Sequence, residues 1–204
     1  DNSLRSSKTK VILCGSLQQD FEFKRYKMST YSVRAANEDD CEDIMRLIIE
    51  LAEFEKLPEQ VRITADVLRK DGFGEDQYFH CLVAEGSSPA GGGEGRVVVG
   101  YCLYYYIYST WEGKSCYMED LYVTPESRGK GVGTAMWVEV TKIALSKGCC
   151  RLHWAVLDWN TPAIDLYKRR GGIDLTEKEG WHLFRMTKTV MEQFVAQSHA
   201  DRKS

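Results

Sequence analysis

A glycine-rich loop, TPESRGKGVGTAM, spans residues 124–136 and separates two stretches with different hydrophobic periodicities. The stretch before it, KSCYMEDLYV, is predicted to form a strand. The stretch after it, VGTAMWVEVTKIALSKG, is predicted to form a helix that closes at Gly148. Because glycine permits close backbone approach and a helix N-terminus attracts negative charge, this strand–loop–helix unit predicts a phosphate site. The alternative is a glycine-rich turn that binds nothing.

The spacing of the glycines excludes two common phosphate-binding motifs. A P-loop, G-x-x-x-x-G-K-[ST], needs Ser or Thr after the lysine, but Gly131 follows Gly129 and Lys130. A dinucleotide fingerprint, G-x-G-x-x-G, lacks its third glycine in either possible register. The pattern that remains is Arg128-x-x-Gly131-x-Gly133. Arg128 and Lys130 can add positive charge to this turn, which suits a pyrophosphate.

The rest of the chain alternates between predicted strands and helices, which indicates a single mixed α/β domain with an aromatic central sheet. Further strands are predicted for YSVRAA, YFHCLVAE, VVVGYCLYYYIYS, RLHWAVL and GWHLFRMT. Helices are predicted for NEDDCEDIMRLIIELAEFEKL, with Asn37 as its N-cap, and for TADVLRKDGFG, NTPAIDLYKRRG and TVMEQFVAQS. The stretch GSSPAGGGEGR is predicted to be a mobile loop, because it is rich in glycine and serine.

Composition excludes several classes of protein. The chain has 204 residues, of which 43% are hydrophobic and 28% charged, and this fits one soluble globular domain. A net charge of −3 lacks the basic footprint of a nucleic-acid-binding protein. No run of about 18 apolar residues predicts a membrane span. The seven cysteines are odd in number and lack CxxC spacing, so we expect no disulfide framework, no metal site and a reducing, cytoplasmic compartment.

Residues 1–27 differ from the remainder in their weak periodicity and basic balance. Met28 follows them and opens MSTYSVRAAN, which resembles a natural start. We therefore expect residues 1–27 to be a non-native or disordered extension and residues 28–204 to be one domain. A targeting peptide is the alternative, although the apolar run VILCG is too short for a secretory core.

A second element with a characteristic spacing follows the glycine loop. The stretch AVLDWNTPAIDLYKRRGG contains N-x-x-A-x-x-x-Y at a predicted helix start, from Asn160 through Ala163 to Tyr167. The order of these elements resembles the acetyl-CoA site of the GNAT superfamily of acyl-CoA N-acyltransferases. That site consists of a strand, an [RQ]-x-x-G-x-[GA] loop and a helix, followed by the N-x-x-A-x-x-x-Y element. The resemblance implies the GNAT fold, an α/β architecture in which a mixed central sheet with splayed strands is flanked by helices.

Longer stretches resemble one family within this superfamily, the diamine acetyltransferases, over residues 31–190. They include VRAANEDDCEDIMRLIIELAEFEKL, DGFGEDQYFHCLVAE, YSTWEGK, YMEDLYV and EKEGWHLFRM. One branch of the family acetylates spermidine and spermine, and the other prefers thialysine, an amino acid with a lysine-like side-chain amine. AEFEKL, IYSTW and AVLDWN resemble the thialysine branch, whereas YKRRG resembles the polyamine branch, so the balance favours the thialysine type.

The resemblance also implies how acetyl-CoA is held. The backbone of Leu121, Tyr122 and Val123 would meet the pantetheine arm and the acetyl carbonyl. The pyrophosphate would lie on the loop formed by Arg128, Gly129, Lys130, Gly131, Val132, Gly133 and Thr134. The other side of the coenzyme site would be lined by Asn160, Thr161, Pro162 and Ala163. Tyr167 matches the family's general acid, which protonates the coenzyme A sulfur; a phenol with a pKa of about 10 can donate that proton. The alternative for Tyr167 is a core tyrosine on a helix face.

The amine pocket is expected to be acidic, because a polyamine or lysine-like substrate arrives as a cation. The residues that match the family pattern for this pocket are the carboxylates Glu55, Glu119, Asp120 and Glu179, the apolar walls Phe54, Trp111 and Trp181, and the RLHWAVL residues His153, Trp154 and Ala155. His153 has a polar core residue as its alternative interpretation. For Glu55 and Glu179, the alternative interpretation is that they are solvated surface acids.

Glu119 is the strongest candidate for direct work on the amine. Together with Asp120 it interrupts YMEDLYV, an otherwise apolar strand. Adjacent strand residues point to opposite faces, so both carboxylates reach one pocket only if the strand contains a bulge, which the resemblance also implies. Glu119 would accept the proton of the amine through water, act only as a charge, or be a solvent-facing strand residue, and the sequence leaves these three roles open.

The leading hypothesis is therefore an acetyl-CoA-dependent N-acetyltransferase of small cationic amines. The resemblance implies a homodimer paired through the C-terminal strand region, and the apolar residues on several faces of GWHLFRMTKTVMEQFVAQ favour the same conclusion. Two alternatives remain open. One is acetylation of a protein lysine or N-terminus, and the other is a non-catalytic module that binds acyl-CoA.

Overall fold

The computed structural model describes residues 26–27, 31–87 and 96–200. Most of the predicted N-terminal extension and most of the predicted loop GSSPAGGGEGR lie outside these residues. The strands are β1 (Tyr26–Lys27), β2 (Tyr31–Ala35), β3 (His80–Ser87), β4 (Arg96–Ser109), β5 (Gly113–Val123) and β6 (Arg151–His153). The helices are α1 (Cys41–Phe54), α2 (Ala65–Phe73), α3 (Val132–Ser146), α4 (Thr161–Arg169), α5 (Leu175–Glu179) and α6 (Lys188–Ala200). The chain divides into two compact units between Ala155 and Val156.

The first unit is built around one mixed sheet whose strands follow the order β1-β2-β3-β4-β5-β6. Neighbouring strands are antiparallel, except that β5 and β6 run parallel. Aromatic and β-branched residues along β4 favour this extended structure. The parallel pairing is short and joins Ser115 to Arg151, Cys116 to Leu152 and Tyr117 to His153.

Helices cover both faces of the sheet, so the first unit has two apolar cores. On one face, Met136 of α3 packs in a cluster with Met118 of β5. On the other face, Ile44 of α1 and Leu68 of α2 pack in a cluster with Tyr101 of β4. The predicted architecture, a mixed sheet flanked by helices, is confirmed. Because successive strand residues alternate between the two faces, a side chain of β4 or β5 belongs either to the α3 face or to the α1/α2 face.

The predicted cap before α1 is confirmed, with one turn of 3-10 helix between the cap and the helix. The Asn37 side chain accepts a hydrogen bond from the Asp39 N–H at 2.9 Å, and the Asp40 carboxylate accepts one from the Asn37 N–H at 2.8 Å. These bonds form a capping box on the turn Glu38–Asp40, which leads into α1. The predicted stop after α3 is also found, since Gly148 has a φ of 75°, in the left-handed region that glycine favours.

The second unit contains α4, α5 and α6, of which the short α5 is not predicted by the sequence. The prediction of a strand at GWHLFRMT is wrong, because residues 180–187 have no strand structure. An isolated extended segment is not stable without a neighbouring strand, and the described part of this unit contains no other strand. RLHWAVL is a strand only at Arg151–His153. Among all the residues described, no helix is long and apolar enough to cross a membrane.

Candidate active site

The glycine-rich loop joins β5 to α3, as the sequence predicts, and its backbone takes a conformation that suits glycine. Gly129 and Gly131 have φ angles of 72° and 81°, both in the left-handed region. Gly131 is the N-cap of α3, and it supplies no side-chain hydrogen bond to the helix. The first N–H groups of α3 and the positive end of its dipole are thus left for an anion, and they fit a pyrophosphate.

Arg128 turns from the loop toward α1 and β5. Its Nε donates a hydrogen bond to the Val123 carbonyl at 2.9 Å. Its guanidinium carbon lies 5.2 Å from the centre of the Phe54 ring and 5.3 Å from that of the Tyr122 ring, both within cation–π range. Arg128 therefore connects the predicted coenzyme loop to Phe54, a predicted wall of the amine pocket.

Lys130 turns toward β2. Its Nζ donates to the Glu126 carbonyl at 2.8 Å and to the Tyr31 hydroxyl at 3.1 Å. Hydrogen bonds from Ser127 and Lys130 lower the pKa of Tyr31. The ammonium group thus fastens the loop to the edge of the sheet.

β5 and β6 separate after three paired residues. Beyond Tyr117, β5 continues to Val123 with β4 as its one strand partner in the described part of the chain. The opposite edge of residues 118–123 presents main-chain N–H and C=O groups, to which an extended ligand can bind as an added strand does. Leu121 and Val123, predicted to meet the pantetheine arm, lie on this edge.

The predicted bulge in β5 is found at Glu119. Leu103 of β4 pairs with Asp120, and the next residue, Tyr104, pairs with Met118. Glu119 is therefore the extra residue of β5, opposite no residue of β4. A bulge changes the direction of the side chains on either side of it, which removes the strict alternation between Glu119 and Asp120.

Two tyrosines of β4 mark the face to which these carboxylates turn. The Tyr101 hydroxyl donates a hydrogen bond to Asp120 at 2.8 Å, and the Tyr105 hydroxyl donates one to Glu119 at 2.8 Å. Tyr101 and Tyr105 lie on the same face of β4, the one that packs with α1 and α2. Both carboxylates therefore face the same side of the sheet.

Glu55 joins Glu119 and Asp120 in an acidic group, which we call the carboxylate cluster. The pKa of Asp120 is raised to about 6: burial is the main cause, repulsion from Glu119 and Glu55 adds to it, and the Tyr101 hydrogen bond opposes it. Burial also raises the pKa of Glu55. Three neighbouring carboxylates create a negative field that attracts an ammonium group.

The turn after α1 positions the residues predicted to line the amine pocket. Phe54 is the last residue of α1, and Glu55 follows it. Lys56 then has a φ of 63°, a value that is uncommon for any residue other than glycine. Strained backbone of this kind persists where the surrounding structure fixes it, and it is concentrated at binding sites.

The structure does not bring Trp111 to the carboxylate cluster within one chain. Trp111 lies at the turn between β4 and β5 and is 74% exposed. Glu119 is six residues beyond Gly113, the start of β5, and a strand of that length spans about 20 Å. Trp111 is thus apart from the other predicted pocket residues of the first unit.

Of the three predicted pocket residues around β6, Trp154 has a packing role and His153 is partly buried. Burial, with the charge of Arg151, lowers the pKa of His153, so burial favours the neutral ring. The Trp154 ring lies edge-on to Trp137 of α3 at 5.3 Å between centres, and Trp154 packs on the α3 core. Ala155 is exposed at the end of the first unit.

The remaining predicted residues belong to the second unit. Asn160 is the N-cap of α4, and Pro162 lies in the first turn of that helix, as predicted. Tyr167 is a partly buried residue of the same helix. The Trp181 indole N–H donates a hydrogen bond to Glu179 at 2.8 Å, so these two predicted substrate residues are in contact.

Tyr101 and Tyr105 are the site residues that the sequence analysis missed. Tyrosine is common in strands, where it usually packs, so neither residue attracts notice alone. The available signal was a pair of tyrosines four residues apart, on one face of a strand next to a strand with adjacent acids. A buried hydroxyl needs a hydrogen-bond partner, and the acids are the nearest candidates.

Comparisons with known proteins agree with this geometry. Residues 42–172 match the acetyltransferase (GNAT) family. A thialysine N-epsilon-acetyltransferase of Mus musculus is 54% identical over 166 residues, which cover 81% of this chain and 98% of that protein. The spermidine/spermine N(1)-acetyltransferase-like protein 1 of Homo sapiens is 39% identical over 165 residues, which cover 81% of this chain and 24% of that protein.

A solved structure shows the same fold at low sequence identity. The integron cassette protein of V. cholerae superimposes with a TM-score of 0.65 at 20% identity. The match covers 82% of this chain and 99% of the cassette protein.

Proposed function

Because the chain belongs to the GNAT acetyltransferase family, and within it to the diamine and thialysine acetyltransferases, we propose that it moves an acetyl group from acetyl-CoA to the side-chain amine of thialysine or a similar lysine-like amino acid. The carboxylate cluster beside the open edge of β5 carries this proposal. Its anions attract a cationic amine, and the neighbouring strand edge offers main-chain groups that can bind the thioester arm of acetyl-CoA. The higher identity to the mouse thialysine enzyme, 54% against 39% for the human polyamine-type relative, favours thialysine. Polyamines are the second candidate, which the YKRRG motif favours.

In this proposal, acetyl-CoA binds to backbone groups of the first unit. The pyrophosphate lies on the turn formed by Gly129 and Gly131, at the uncapped start of α3. The pantetheine arm runs along the open edge of β5, at Leu121 and Val123. Arg128 contacts Val123 and the rings of Phe54 and Tyr122, so its proposed contribution is to hold the Phe54 wall of the amine pocket against the loop. From the family resemblance, residues Asn160, Thr161, Pro162 and Ala163 of the second unit are also proposed to bind acetyl-CoA.

The chemistry requires a neutral amine next to an activated thioester. The carboxylate cluster attracts the ammonium form, and loss of one proton then gives the nucleophile that attacks the acetyl carbon. A backbone N–H at the β5 edge stabilises the negative oxygen of the tetrahedral intermediate. Tyr167 is the proposed general acid that protonates the sulfur of coenzyme A as it leaves. Glu179 and Trp181, which contact each other, are proposed to hold the distal part of the substrate.

The homodimer is also part of the proposal. Leu183 and Phe184 are 83% and 89% exposed in the second unit, and Phe194 of α6 is 61% exposed. An exposed apolar surface of this kind is typical of a protein interface, and a second copy would supply the neighbouring strand that GWHLFRMT lacks. A sedimentation mass of a single chain at micromolar concentration would contradict it.

The compartment is proposed to be the reducing cytoplasm. The six cysteines within the described residues are all free thiols, and five of them are buried. Free thiols persist where the redox potential keeps cysteine reduced.

The experiment that tests the function is thiol release from acetyl-CoA with a panel of amines. The panel contains thialysine, lysine, spermidine, spermine and a lysine-containing peptide, and the control omits the amine. We expect the highest kcat/KM with thialysine and a lower value with polyamines. Activity on the peptide alone would favour a protein acetyltransferase. Bound coenzyme A without transfer to any amine would favour a non-catalytic module.

A further inference from the structure

A cavity of about 440 Å³ lies at the turn end of the β4–β5 hairpin, beside the C-terminal end of α3. Its lining includes Tyr106 and Ile107 of β4, Lys114 of β5, and Lys147 and Cys149, which follow α3. All of these residues belong to the first unit. Cavities of this volume hold small molecules. Neither the proposed coenzyme site nor the carboxylate cluster includes any of these residues.

The cavity is remote from the proposed acetyl transfer. Gly131 of the coenzyme loop and Lys147 lie at opposite ends of α3, whose 15 residues form a helix roughly 22 Å long. Lys114 and Glu119 are five residues apart in β5, which corresponds to about 17 Å along a strand. The cavity is therefore separate from both predicted substrate sites.

Tyr106 gives the cavity an aromatic wall that is held in place from behind. Its ring lies edge-on to that of His80, at 5.4 Å between centres, and edge-on to that of Tyr104, at 6.3 Å. Tyr104 is buried in the core beneath α3. Edge-to-face contacts at these distances favour one orientation of the rings. The Tyr106 ring is thus arranged before any ligand arrives.

The apolar surface of β4 comes to the outside at this cavity. The strand is buried from Val98 to Tyr104, whereas Tyr106 and Ile107 are 39% and 36% exposed. A single exposed apolar side chain needs no explanation, but adjacent ones that line a cavity are typical of a binding surface.

The charged groups at the cavity are two cations. Within the described residues, the ammonium groups of Lys114 and Lys147 have no ion-pair partner, and the cavity lining contains no carboxylate. The Tyr106 hydroxyl has no hydrogen-bond partner in the same part of the chain. Burial chiefly raises the pKa of Tyr106 to about 12, so the phenol keeps its proton and can donate it to a hydrogen bond. The cavity thus offers donors and positive charge to an anionic acceptor.

The C-terminal end of α3 does not reverse this charge. A helix C-terminus carries about half an elementary negative charge on its last carbonyls, against two full positive charges on the lysines. The Ala144 carbonyl accepts a hydrogen bond from the Cys149 N–H at 2.9 Å. The Leu145 carbonyl accepts one from the Gly148 N–H at 3.0 Å. These acceptors are used within the chain, and the lysines determine the sign of the field in the cavity.

We propose that this cavity, which we call the hairpin pocket, is a second binding site and that it takes a small aromatic carboxylate. The ring of the ligand packs against Tyr106 and Ile107, and its carboxylate lies between Lys114 and Lys147. The apolar wall gives a bare inorganic anion no surface to bury, and the two cations repel the amines that the carboxylate cluster attracts. This inference goes beyond the proposed function and does not depend on it.

The test uses 2-naphthoate as the ligand and 2-naphthamide as its neutral match. Carbon-13 NMR of isoleucine-methyl-labelled protein follows the titration, with Ile107→Val to assign the Ile107 signal. We expect 2-naphthoate to shift this signal in a saturable manner. The signals of Ile49 and Ile63, each 42% exposed elsewhere in the first unit, should stay in place. We expect 2-naphthamide to bind roughly fourfold to 25-fold more weakly, because it meets neither lysine as an ion.

Charge-removing variants test the two lysines directly. Lys114→Gln and Lys147→Gln should each raise the Kd of 2-naphthoate roughly twofold to fivefold, the range of an exposed ion pair. In the double variant, 2-naphthoate and 2-naphthamide should bind equally. Both lysines are exposed, so neither substitution disturbs the core. Lys70→Gln, at an exposed lysine of α2, is the matched control and should leave the Kd unchanged.

A titration in saturating coenzyme A separates this pocket from the proposed coenzyme site. We expect the Ile107 shift to persist, because the coenzyme loop lies at the other end of α3. Displacement of 2-naphthoate by coenzyme A would overturn the inference, as would an unmoved Ile107 signal or equal binding of acid and amide to the parent. The readout needs no acetyl transfer, so a parent that acetylates no amine would overturn the proposed function alone.

Discussion

The Tyr105 hydroxyl donates a hydrogen bond of 2.8 Å to the carboxylate of Glu119, the residue that bulges out of β5. Burial chiefly, with this bond and the charge of Glu119, raises the pKa of Tyr105. The phenol therefore stays protonated and available as a donor at neutral pH. Glu119 is held in one direction by this bond but is still exposed to water, so its charge acts on an approaching cation through solvent.

Glu119→Gln should weaken capture of the amine. The substitution keeps the acceptor for Tyr105 and removes the charge. We expect kcat/KM at low salt to fall about tenfold, chiefly through KM, since attraction of an exposed charge is modest. The deficit should shrink at high salt, where the Debye length falls to a few ångströms and the parent loses the same attraction. Steady-state kinetics of the parent and the variant at two ionic strengths measures the deficit in kcat/KM at low and at high salt.

The control for this prediction is Glu59→Gln, which removes an exposed charge in the turn Pro58–Gln60. It should leave kcat/KM unchanged at both salt concentrations. A deficit in Glu119→Gln that persists undiminished at high salt would indicate that Glu119 handles the proton itself.

Asp120→Asn should stabilise the fold at neutral pH while it impairs activity. The pKa of Asp120 is raised from an ordinary 3.8 to about 6, mainly by burial. Between these pH values the folded chain keeps a proton that the unfolded chain has released, so the free energy of unfolding decreases as the pH rises. For a shift of about two units, the decrease is on the order of 2–3 kcal/mol. The free energy of unfolding of Asp120→Asn should not show this decrease, because the asparagine side chain has no proton to release.

Urea denaturation across this pH range measures the effect. The parent and Asp120→Asn should have similar free energies of unfolding at the acid end, and the variant should be more stable above pH 6, by the amount just given. Glu59→Gln is the control and should follow the parent, because Glu59 is exposed and is not among the groups that shift the pKa of Asp120. A variant that is less stable than the parent at neutral pH would mean that folding stabilises the Asp120 charge.

The local parts of this fold are predictable because their causes are local. The capping box of Asn37 and Asp40 is encoded by two residues three positions apart. The turn at Gly129 and Gly131 follows from glycine's access to positive φ. The bulge is predicted from two adjacent acids in an apolar strand, together with the family resemblance. Without a bulge, side chains would alternate between the two faces of the sheet, and the two acids would lie on opposite faces.

The parts that depend on register or on distant contacts are not predictable in this way. That Tyr101 meets Asp120 depends on how β4 and β5 are aligned, and the bulge itself shifts that alignment. The contact of Arg128 with the Phe54 ring joins two segments that are far apart in sequence. The segment GWHLFRMT has the residues of a strand, but a strand forms only where a neighbour accepts its hydrogen bonds.

Gly131→Asp should abolish most coenzyme binding while the protein stays folded. It adds a Cβ at a φ of 81° and a negative charge at the start of α3, where a pyrophosphate is proposed to bind. Isothermal titration calorimetry should show a Kd for coenzyme A raised by at least about tenfold, which corresponds to 1.4 kcal/mol. Gly113→Asp is the matched control: Gly113 has a φ of 91°, and no atom lies within 4 Å of an added Cβ. Equal loss in both variants would assign the effect to backbone strain.

Tyr167→Phe removes one oxygen from the proposed general acid. If Tyr167 protonates the departing sulfur, kcat should decrease by roughly 10²–10⁴-fold, the usual contribution of a positioned proton donor. Binding of acetyl-CoA should change little. Tyr108→Phe, at a tyrosine that is 75% exposed, should keep full activity. A kcat within a few-fold of the parent value would assign Tyr167 to packing in α4.

Arg128→Lys should affect the amine more than the coenzyme. The guanidinium lies over the Phe54 and Tyr122 rings, and a lysine keeps its charge but not its planar stacking. Cation–π contacts contribute about 0.5–2 kcal/mol, so we expect KM for the amine to rise roughly twofold to 30-fold. The Kd of coenzyme A should change less, because the backbone of the loop, and not this side chain, is proposed to bind the pyrophosphate.

A double-mutant cycle with Phe54→Leu tests the path of this effect. Phe54→Leu removes the ring and keeps an apolar wall at the end of α1. If Arg128 acts through that ring, the double variant should resemble the worse single variant, because the two residues share one contact. Lys130→Arg, which keeps a charge in the same loop, should leave KM for the amine unchanged. Additive losses in the cycle, or a coenzyme Kd that rises more than the amine KM, would show that Arg128 serves the coenzyme directly.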